Sequence, residues 1–274
     1  MNAIVASCVA VLAVNAAAAP LSPPAAEIDL TKLPTQAKVI DRVVVPVPGE
    51  VFAVLDKLGK PRWAGLIHRD TSRAKPRGEA PQIAMMLGTI IAEGFIAVEA
   101  EDVEEVKDLG RAILTFSSAI GVRKAVVRRA NSVVEFADKK NWNRVRSELD
   151  GALADVRGAM IELNSESLAH LVSLGGWLRG LEVLAQVVSM DFSRSGADLL
   201  HQPGLVEHFE RQLASLKSRF RGDSLVVRVR KGLAEIRPLI GDGDGSRISS
   251  KAVKEIASLS GSLVEAISRK SNQP

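Results

Sequence analysis

Residues 80–100 read APQIAMMLGTIIAEGFIAVEA, and this stretch decides the fold. Only Glu93 and Glu99 carry charge within it. Small residues stand at every fourth position, Ala84, Gly88 and Ala92, so on a helix they line one stripe that another element can approach closely. Larger apolar side chains cover much of the remaining circumference: Ile83, Leu87, Ile90, Ile91, Phe95 and Ile96. Because a helix that is apolar nearly all round is normally buried on several sides, we predict the central helix of an all-α domain.

The length and apolarity of residues 80–100 also satisfy the requirements of a membrane span. Gln82, Glu93 and Glu99 interrupt the run with polar groups that a hydrocarbon core disfavours. Amphipathic segments follow this stretch, and each needs a partner surface for its apolar stripe. We therefore interpret residues 80–100 as a buried hub.

Apolar residues recur three and four positions apart in seven segments after residue 100, which predicts amphipathic helices. These segments cover residues 103–120, 122–137, 145–163, 168–188, 206–220, 226–238 and 250–269. With the central helix and a short helix from Glu50 to Leu58, the chain is expected to have about nine helices. Because turns join most of them, we expect antiparallel hairpins in a bundle or a short irregular solenoid.

One predicted hairpin resembles a tetratricopeptide unit. The residues that carry the resemblance are Phe136, Asn141, Trp142, Val145, Leu149, Ala152 and Leu153. One repeat length further on, about 34 residues, no second copy follows. We attribute the resemblance to the packing that all helical hairpins share. No family membership is inferred from it.

The N-terminal region has the composition of an export signal. Residues 3–19, AIVASCVAVLAVNAAAA, carry no charge and end in small residues suited to cleavage, so we predict a signal peptide at 1–19. An uncleaved anchor and a lipoprotein modified at Cys8 are the alternatives. A Pro-rich linker is expected over 20–37 and an extended arm over 39–50. A single helical domain then covers 38–270, with a subdivision open near 190–203 and a disordered tail at 271–274.

Composition excludes several kinds of site. Cys8 is the sole cysteine, so removal of residues 1–19 leaves no thiol for a disulfide, a nucleophile or a thiolate zinc site. The chain has no tyrosine and three scattered tryptophans, which argues against stacking platforms for single-stranded nucleic acid. The net charge of +4 permits an anionic partner without requiring one.

No motif for catalysis or cofactor binding stands out. The chain lacks G-x-S-x-G, a Walker loop and a strand-linked G-x-G-x-x-G, so we assign no catalytic residue and no cofactor. The glycine run at 241–245 fails the register of a calcium loop. His201 and His208 do not have the spacing of a helical zinc pair, and we interpret them as a helix-start histidine and a surface histidine. We therefore predict no metal site.

Glu93 is the most interesting single acid. If it is buried, it must pair with a cation or have a raised pKa. If the rotation of the helix places it at the edge of the domain, it is an ordinary solvated carboxylate. The sequence favours the second interpretation, because acidic residues are rarely fully buried.

A long irregular segment from Gly59 to Pro81 leads into the N-terminus of the central helix. Long irregular segments in compact domains are often functional. This one carries six basic residues against Asp70 and Glu79: Lys60, Arg62, Arg69, Arg73, Lys75 and Arg77. Because the N–H groups at a helix N-terminus also favour anions, we predict an anion-binding site. Its residues are Trp63, His68, Arg69, Arg73 and Arg77.

Three classes of function follow from these observations. The first is a non-enzymatic exported protein that contacts another protein or an envelope component. The second is binding of an anionic ligand, polymer or membrane surface through the basic loop 60–77. The third is an enzyme with a dispersed site that uses residues such as Glu93 and His68. The oligomeric state and the identity of any partner are not encoded in a recognisable pattern.

Overall fold

The computed structural model describes residues 38–40, 43–45, 61–241 and 247–269. Two strands, β1 (Lys38–Ile40) and β2 (Val43–Val45), pair antiparallel with Val39 opposite Val44. The helices in these ranges are α1 (Arg69–Ser72), α2 (Ala80–Glu99), α3 (Val103–Ala119), α4 (Arg123–Asp138), α5 (Trp142–Glu162), α6 (Glu166–Met190), α7 (Arg194–Asp198), α8 (Pro203–Ser215), α9 (Ser218–Arg221), α10 (Ser224–Ile240) and α11 (Ser250–Ser268). The prediction of an all-α fold is confirmed.

Several predicted elements lie outside the described residues. They are the signal peptide at 1–19, the linker at 20–37, the helix at 50–58, most of the glycine run at 241–245 and the tail at 271–274. Of the predicted arm at 39–50, residues 39–40 and 43–45 are described, and both sets belong to the strand pair.

The central helix is buried as predicted. Every residue of α2 from 84 to 98 is buried, and the helix packs against α3, α5, α6 and α11. Pro81 in its first turn suits a helix start, since proline lacks an N–H that would have no partner there. The all-round apolarity of residues 80–100 therefore corresponds to burial on several sides.

Helices α2 and α6 meet along the small-residue stripe. A Cβ built on Gly88 would lie 1.9 Å from the carbonyl oxygen of Val172, and a Cβ on Gly175 would lie 2.0 Å from that of Met85. The hydroxyl of Thr89 donates to the carbonyl oxygens of Met85 and Gly175 at 3.1 and 3.3 Å. Gly175 and Gly176 of α6 therefore lie at a close approach to the central helix.

The same contact closes the bundle. Consecutive helices from α2 to α6 pack on one another, and α6 returns to lie beside α2. Met85 lies next to Gly175 and Glu93 next to Arg179, so the two helices run in the same direction. Helix α11 packs against α6 and α10, and α8 packs against α10. Buried side chains on both sides of residues 190–203 belong to one hydrophobic core.

Among the residues that the structure describes, two helices have the length and hydropathy of a membrane span, α2 and α6. In each, most of the apolar window is buried inside the protein, 89% in α2 and 78% in α6. Packing against neighbouring helices therefore accounts for their apolar composition, as it does for core helices in general.

Two features of the helices after residue 200 differ from the prediction. The segment predicted as one helix at 206–220 consists of α8, which ends at Ser215, and the short α9. The apolar spacing continues across this break, because Leu216 and Phe220 both pack on the core. Helix α10 continues past Pro238 to Ile240 and ends at Gly241, whose φ of 89° suits glycine.

Candidate functional site

The predicted anion site lies on residues 61–79, called the basic segment below. The segment contains a 3₁₀ turn at Trp63–Gly65, followed by the short helix α1, which was not predicted. Trp63 and Leu66 are buried, at 7% and 4% exposure, so they fix its first half to the helical core. Gly78 has a φ of 81° where the chain turns into α2.

A buried ionic network lies beneath the basic segment. Its centre is the guanidinium of Arg179 on α6, which has no exposed side-chain surface. Arg179 Nε donates to Glu93 Oε2 at 2.7 Å, and its Nη1 donates to Glu182 Oε2 at 2.9 Å. Glu93 is also fully buried. Burial lowers the pKa of Arg179, but the two carboxylates more than offset this, so the pKa lies above its ordinary value.

The network also holds the backbone of the basic segment. Arg179 Nη2 donates to the carbonyl oxygen of Leu66, and the backbone N–H of His68 donates to Glu93 Oε1 at 2.7 Å. The imidazole of His68 lies with Nε2 3.6 Å from Glu182 Oε1. The core helices α2 and α6 therefore supply the charges that fix residues 66–68 in place.

A second set of contacts joins the segment to α3. Arg69 Nη2 lies 2.8 Å from Asp102 Oδ2, and Nη1 lies 3.4 Å from Glu105 Oε2. Asp102 is also the N-cap of α3, where its side chain accepts from the N–H of Glu105. Arg69 is thus shared between two carboxylates.

The two carboxyl groups on α3 have opposite pKa shifts. Burial raises the pKa of Glu105, and the neighbouring charges of Asp102 and Glu93 add to that rise. For Asp102, burial also acts to raise the pKa, but hydrogen bonds from the Glu105 backbone and from Arg69 outweigh it and lower the pKa. Within the described residues, Glu105 Oε1 has no hydrogen-bond partner.

These contacts correct the interpretation of Glu93. We expected this residue at the edge of the domain, and that prediction is wrong. Glu93 is fully buried because Arg179 and the His68 N–H satisfy its two oxygens, which is the condition for burying a carboxylate. Neither Glu93 nor His68 lines the two clefts described below.

A cleft of about 320 Å³, called the basic cleft, lies between the basic segment and the C-terminal end of α11. Arg73, Lys75 and Arg77 border it, and all three are exposed. In the described part of the chain none of the three has an ion-pair or hydrogen-bond partner. Its apolar residues are Ala74, Met86, Phe116 and Ile267, and its other polar residues are Asp70, Gln82, Ser268 and Arg269.

On the α11 side of the basic cleft, the backbone carbonyls and the arginine side chain already have partners. Gln82 Nε2 donates to the carbonyl oxygens of Ile267 and Arg269 at 3.1 and 2.7 Å. Arg269 itself pairs with Glu265 at 2.6 Å. The carbonyls at this helix end therefore already accept hydrogen bonds. The cations of the cleft that have no described partner come from the basic segment.

The five predicted anion-site residues fall in three places. Arg73 and Arg77 lie together in the basic cleft, whereas His68 and Arg69 contact the carboxylates beneath and beside the segment. Trp63 lies at a second cleft of about 850 Å³, called the indole cleft. Its described lining residues are Trp63, Val98, Glu99, Glu101, Lys139, Lys140, Asn141, Trp142, Asn143 and Arg146.

The histidines on either side of Pro203 serve structural contacts. His201 Nδ1 lies 2.8 Å from the carbonyl oxygen of Ile240. His208 was expected at the surface, and that prediction is wrong: it is 3% exposed and packs edge-on against Phe209. Glu207 and Glu210 pair with Arg237. No cluster of three or more potential metal ligands occurs among residues 61–241 and 247–269.

Sequence reasoning missed Arg179, Glu182 and Glu105 as partners of the basic segment. A signal was present, since Arg179 and Glu182 are isolated charges in a broadly apolar helix, as Glu93 is in α2. Charges of opposite sign in two helices that are both buried must meet, because neither is stable there alone.

Comparison of the chain with protein-family models, with curated proteins and with solved structures gives no match.

Proposed function

We propose that this protein is a non-enzymatic, exported binding protein that takes an anionic ligand with an apolar portion in the basic cleft. One observation carries the proposal: three cations with no described partner, Arg73, Lys75 and Arg77, border a cleft that also holds buried apolar side chains. The buried apolar residues that line the cleft are Met86, Phe116 and Ile267.

The chemistry of the cleft suits a carboxylate or phosphate group. An arginine without a partner presents a planar fork of N–H donors that matches such groups. A volume near 320 Å³ suits a small ligand, since ligand pockets typically measure about 300–1,000 Å³. Asp70 is the one acidic residue among the described lining residues, so the cleft carries a surplus of positive charge.

The wider role rests on the N-terminal sequence. Residues 3–19 predict export, so the ligand would be met in the periplasm or outside the cell. A partner protein or an envelope component that presents an acidic group beside an apolar one fits the same cleft. Membrane attachment through an uncleaved N-terminal segment is the alternative arrangement.

A set of three probes tests the two halves of the proposed ligand. Octanoate carries both an anionic group and an apolar chain, acetate carries the anion alone, and octanol carries the chain alone. We expect octanoate to bind more tightly than either of the others in isothermal titration calorimetry. Its affinity should weaken as salt is added, because the cleft charges are exposed and screened. Equal affinity for octanoate and octanol would refute the proposal.

A charge-reversal variant locates the site. Arg73→Glu with Arg77→Glu is expected to abolish octanoate binding. The matched control is Lys124→Glu with Arg128→Glu, which makes the same change of charge on exposed positions of α4. If the two double variants lose binding equally, the attraction comes from the overall charge of the protein and not from the basic cleft.

A further inference from the structure

The indole cleft brings together two of the three tryptophans of the chain, Trp63 and Trp142. Trp63 comes from the basic segment, and Trp142 begins α5. The rest of the described lining comes from the end of α2 with the turn that follows it, and from the turn between α4 and α5 with the first residues of α5. The lining of the cleft therefore comes from three separate parts of the chain.

The charges of this cleft nearly balance. Arg146 Nη2 lies 2.6 Å from Glu99 Oε1, and Lys139 pairs with Glu135. Glu101 and Lys140 are exposed, have opposite signs, and have no partner among the described residues. A ligand with net charge of either sign would meet repulsion as well as attraction. The cleft therefore favours a ligand without net charge.

The polar groups of the cleft can serve hydroxyl groups. Asn141 Oδ1 accepts from the N–H of Arg144, and Asn143 Oδ1 accepts from Arg146 Nη1 at 3.2 Å. Both carboxamides thus keep their NH₂ donors for a ligand. Glu101 and Lys140 add one acceptor and one donor.

Trp142, which is half-buried, suits a ligand that has an apolar face as well as hydroxyl groups. The face of an indole ring is electron-rich, so it attracts C–H groups that lie flat against it. A pyranose ring has such a C–H face and a rim of hydroxyls. The volume of about 850 Å³ lies in the upper part of the range for ligand pockets and suits several linked rings.

We propose that the indole cleft binds an uncharged saccharide, with a sugar ring against the half-buried Trp142, beside the largely buried Trp63, and the hydroxyls on Asn141 and Asn143. This site is separate from the basic cleft and does not depend on the ligand proposed there. The two clefts share no described lining residue.

Tryptophan fluorescence tests the proposal directly. A Trp177→Phe background removes the one tryptophan outside the cleft, which packs against Phe209. We expect saturable changes of emission with at least one of chitotetraose, cellotetraose and maltotetraose, and little change of affinity with salt. A response to none of the three, or a salt-sensitive response to a heparin tetrasaccharide alone, would overturn the proposal.

Two asparagine variants provide the matched comparison. In the same background, Asn143→Ala should weaken binding of the responding sugar about tenfold, which corresponds to about 1.4 kcal/mol. Asn131→Ala, at an exposed position on α4 outside the cleft, should leave the affinity unchanged. Both asparagines are exposed, so both variants should retain the helical circular dichroism spectrum. Equal affinities in the two variants would contradict the assignment.

Discussion

Gly88 shows how one residue type determines the central contact of this protein. The atoms nearest its missing side chain belong to the backbone of α6, the carbonyl of Val172 and the nitrogen of Gly176. A backbone that is hydrogen-bonded within a helix cannot move aside as a flexible side chain can. The close approach of α2 and α6 therefore depends on the absence of a Cβ at this position.

We expect Gly88→Ala to lower the free energy of unfolding by about 3 kcal/mol or more, because a single methyl group would meet the carbonyl of Val172. Urea denaturation measures the loss. Gly180→Ala is the matched control, since nothing lies within 4 Å of a Cβ built there. Within α6 that change should stabilise the protein by up to about 1 kcal/mol. Similar effects in the two variants would show that the helix contact is looser than described.

Arg179 is the residue on which the buried charges depend. It is the largest fully buried side chain of the described core, and it contacts Glu93 and Glu182 as well as the carbonyl of Leu66. Without the guanidinium, two carboxylates would remain in a site that water does not reach. A buried charge without a partner costs several kcal/mol.

Replacement of Arg179 by methionine is therefore expected to lower the free energy of unfolding by about 3–5 kcal/mol. Arg237→Met, which removes a 43%-exposed arginine from a surface ion pair, should cost less than about 1 kcal/mol. Adding Glu93→Gln to Arg179→Met should recover part of the loss, because one uncompensated charge is removed. A double variant no more stable than Arg179→Met would contradict this account.

At the scale of elements, the basic segment is fixed to three helices by charge. Glu93 on α2, Asp102 and Glu105 on α3, and Arg179 and Glu182 on α6 supply these contacts. A fall in pH therefore changes the stability of these contacts through two carboxyl groups. The two changes in stability have opposite signs. Asp102 stabilises as a carboxylate, whereas ionisation of buried Glu105 has a cost.

The pH dependence of two variants separates these effects. The pKa of Asp102 is lowered, so its contribution is present above its unfolded pKa and is lost as pH falls through the folded pKa. We expect Asp102→Asn, which keeps the N-cap, to be less stable than the parent near neutral pH. This difference should shrink below about pH 4. Urea denaturation at a series of pH values measures it.

Glu105→Gln should show the opposite trend. Because burial raises the pKa of Glu105, the parent gains stability from this group at low pH and loses it as pH rises through the folded pKa. The stability of the variant relative to that of the parent should therefore be highest near neutral pH. If both variants follow the same trend with pH, the opposite shifts assigned to these groups are wrong.

The helices could be predicted from the sequence because their signal is local. Apolar spacing within each segment defines the buried face, and α2 to α6 lie where that spacing places them. The break between α8 and α9 was missed because Leu216 and Phe220 continue the spacing across it. The apolar periodicity shows which residues face the core. It does not reveal a turn when the residues on both sides of that turn still face the core.

The candidate site was less predictable because its contacts are not local. Arg73 and Arg77 could be grouped from their nearness in the chain. The competing partners of Arg69 are Asp102 and Glu105, 33 and 36 positions away, and Glu93 meets Arg179 86 positions away. The sequence does not distinguish a basic residue that pairs with a distant carboxylate from one that stays exposed. Only the packing of α2, α3 and α6 distinguishes them.

At the scale of the whole molecule, the predicted export signal determines which residues we expect in the mature chain. The apolar run at 3–19 ends in small residues before Pro20. We expect the purified native protein to begin near residues 18–21, because signal peptidase cleaves after small residues. Intact mass spectrometry of protein from its native source measures the N-terminus. A native protein that retains Met1 would contradict cleavage and leave membrane attachment as the alternative.

The pairing of α2 with α6 also has a consequence for the rate of folding. The hydroxyl of Thr89 reaches the carbonyl of Gly175 across 86 positions, and Arg179 reaches Leu66 across 113. The hairpins from α3 to α5 involve much shorter separations and can form early. Contacts between distant positions must overcome loop-closure entropy before they contribute, which slows folding. We therefore expect the glycine contact to form after the hairpins and to limit the speed at which the chain reaches its native state.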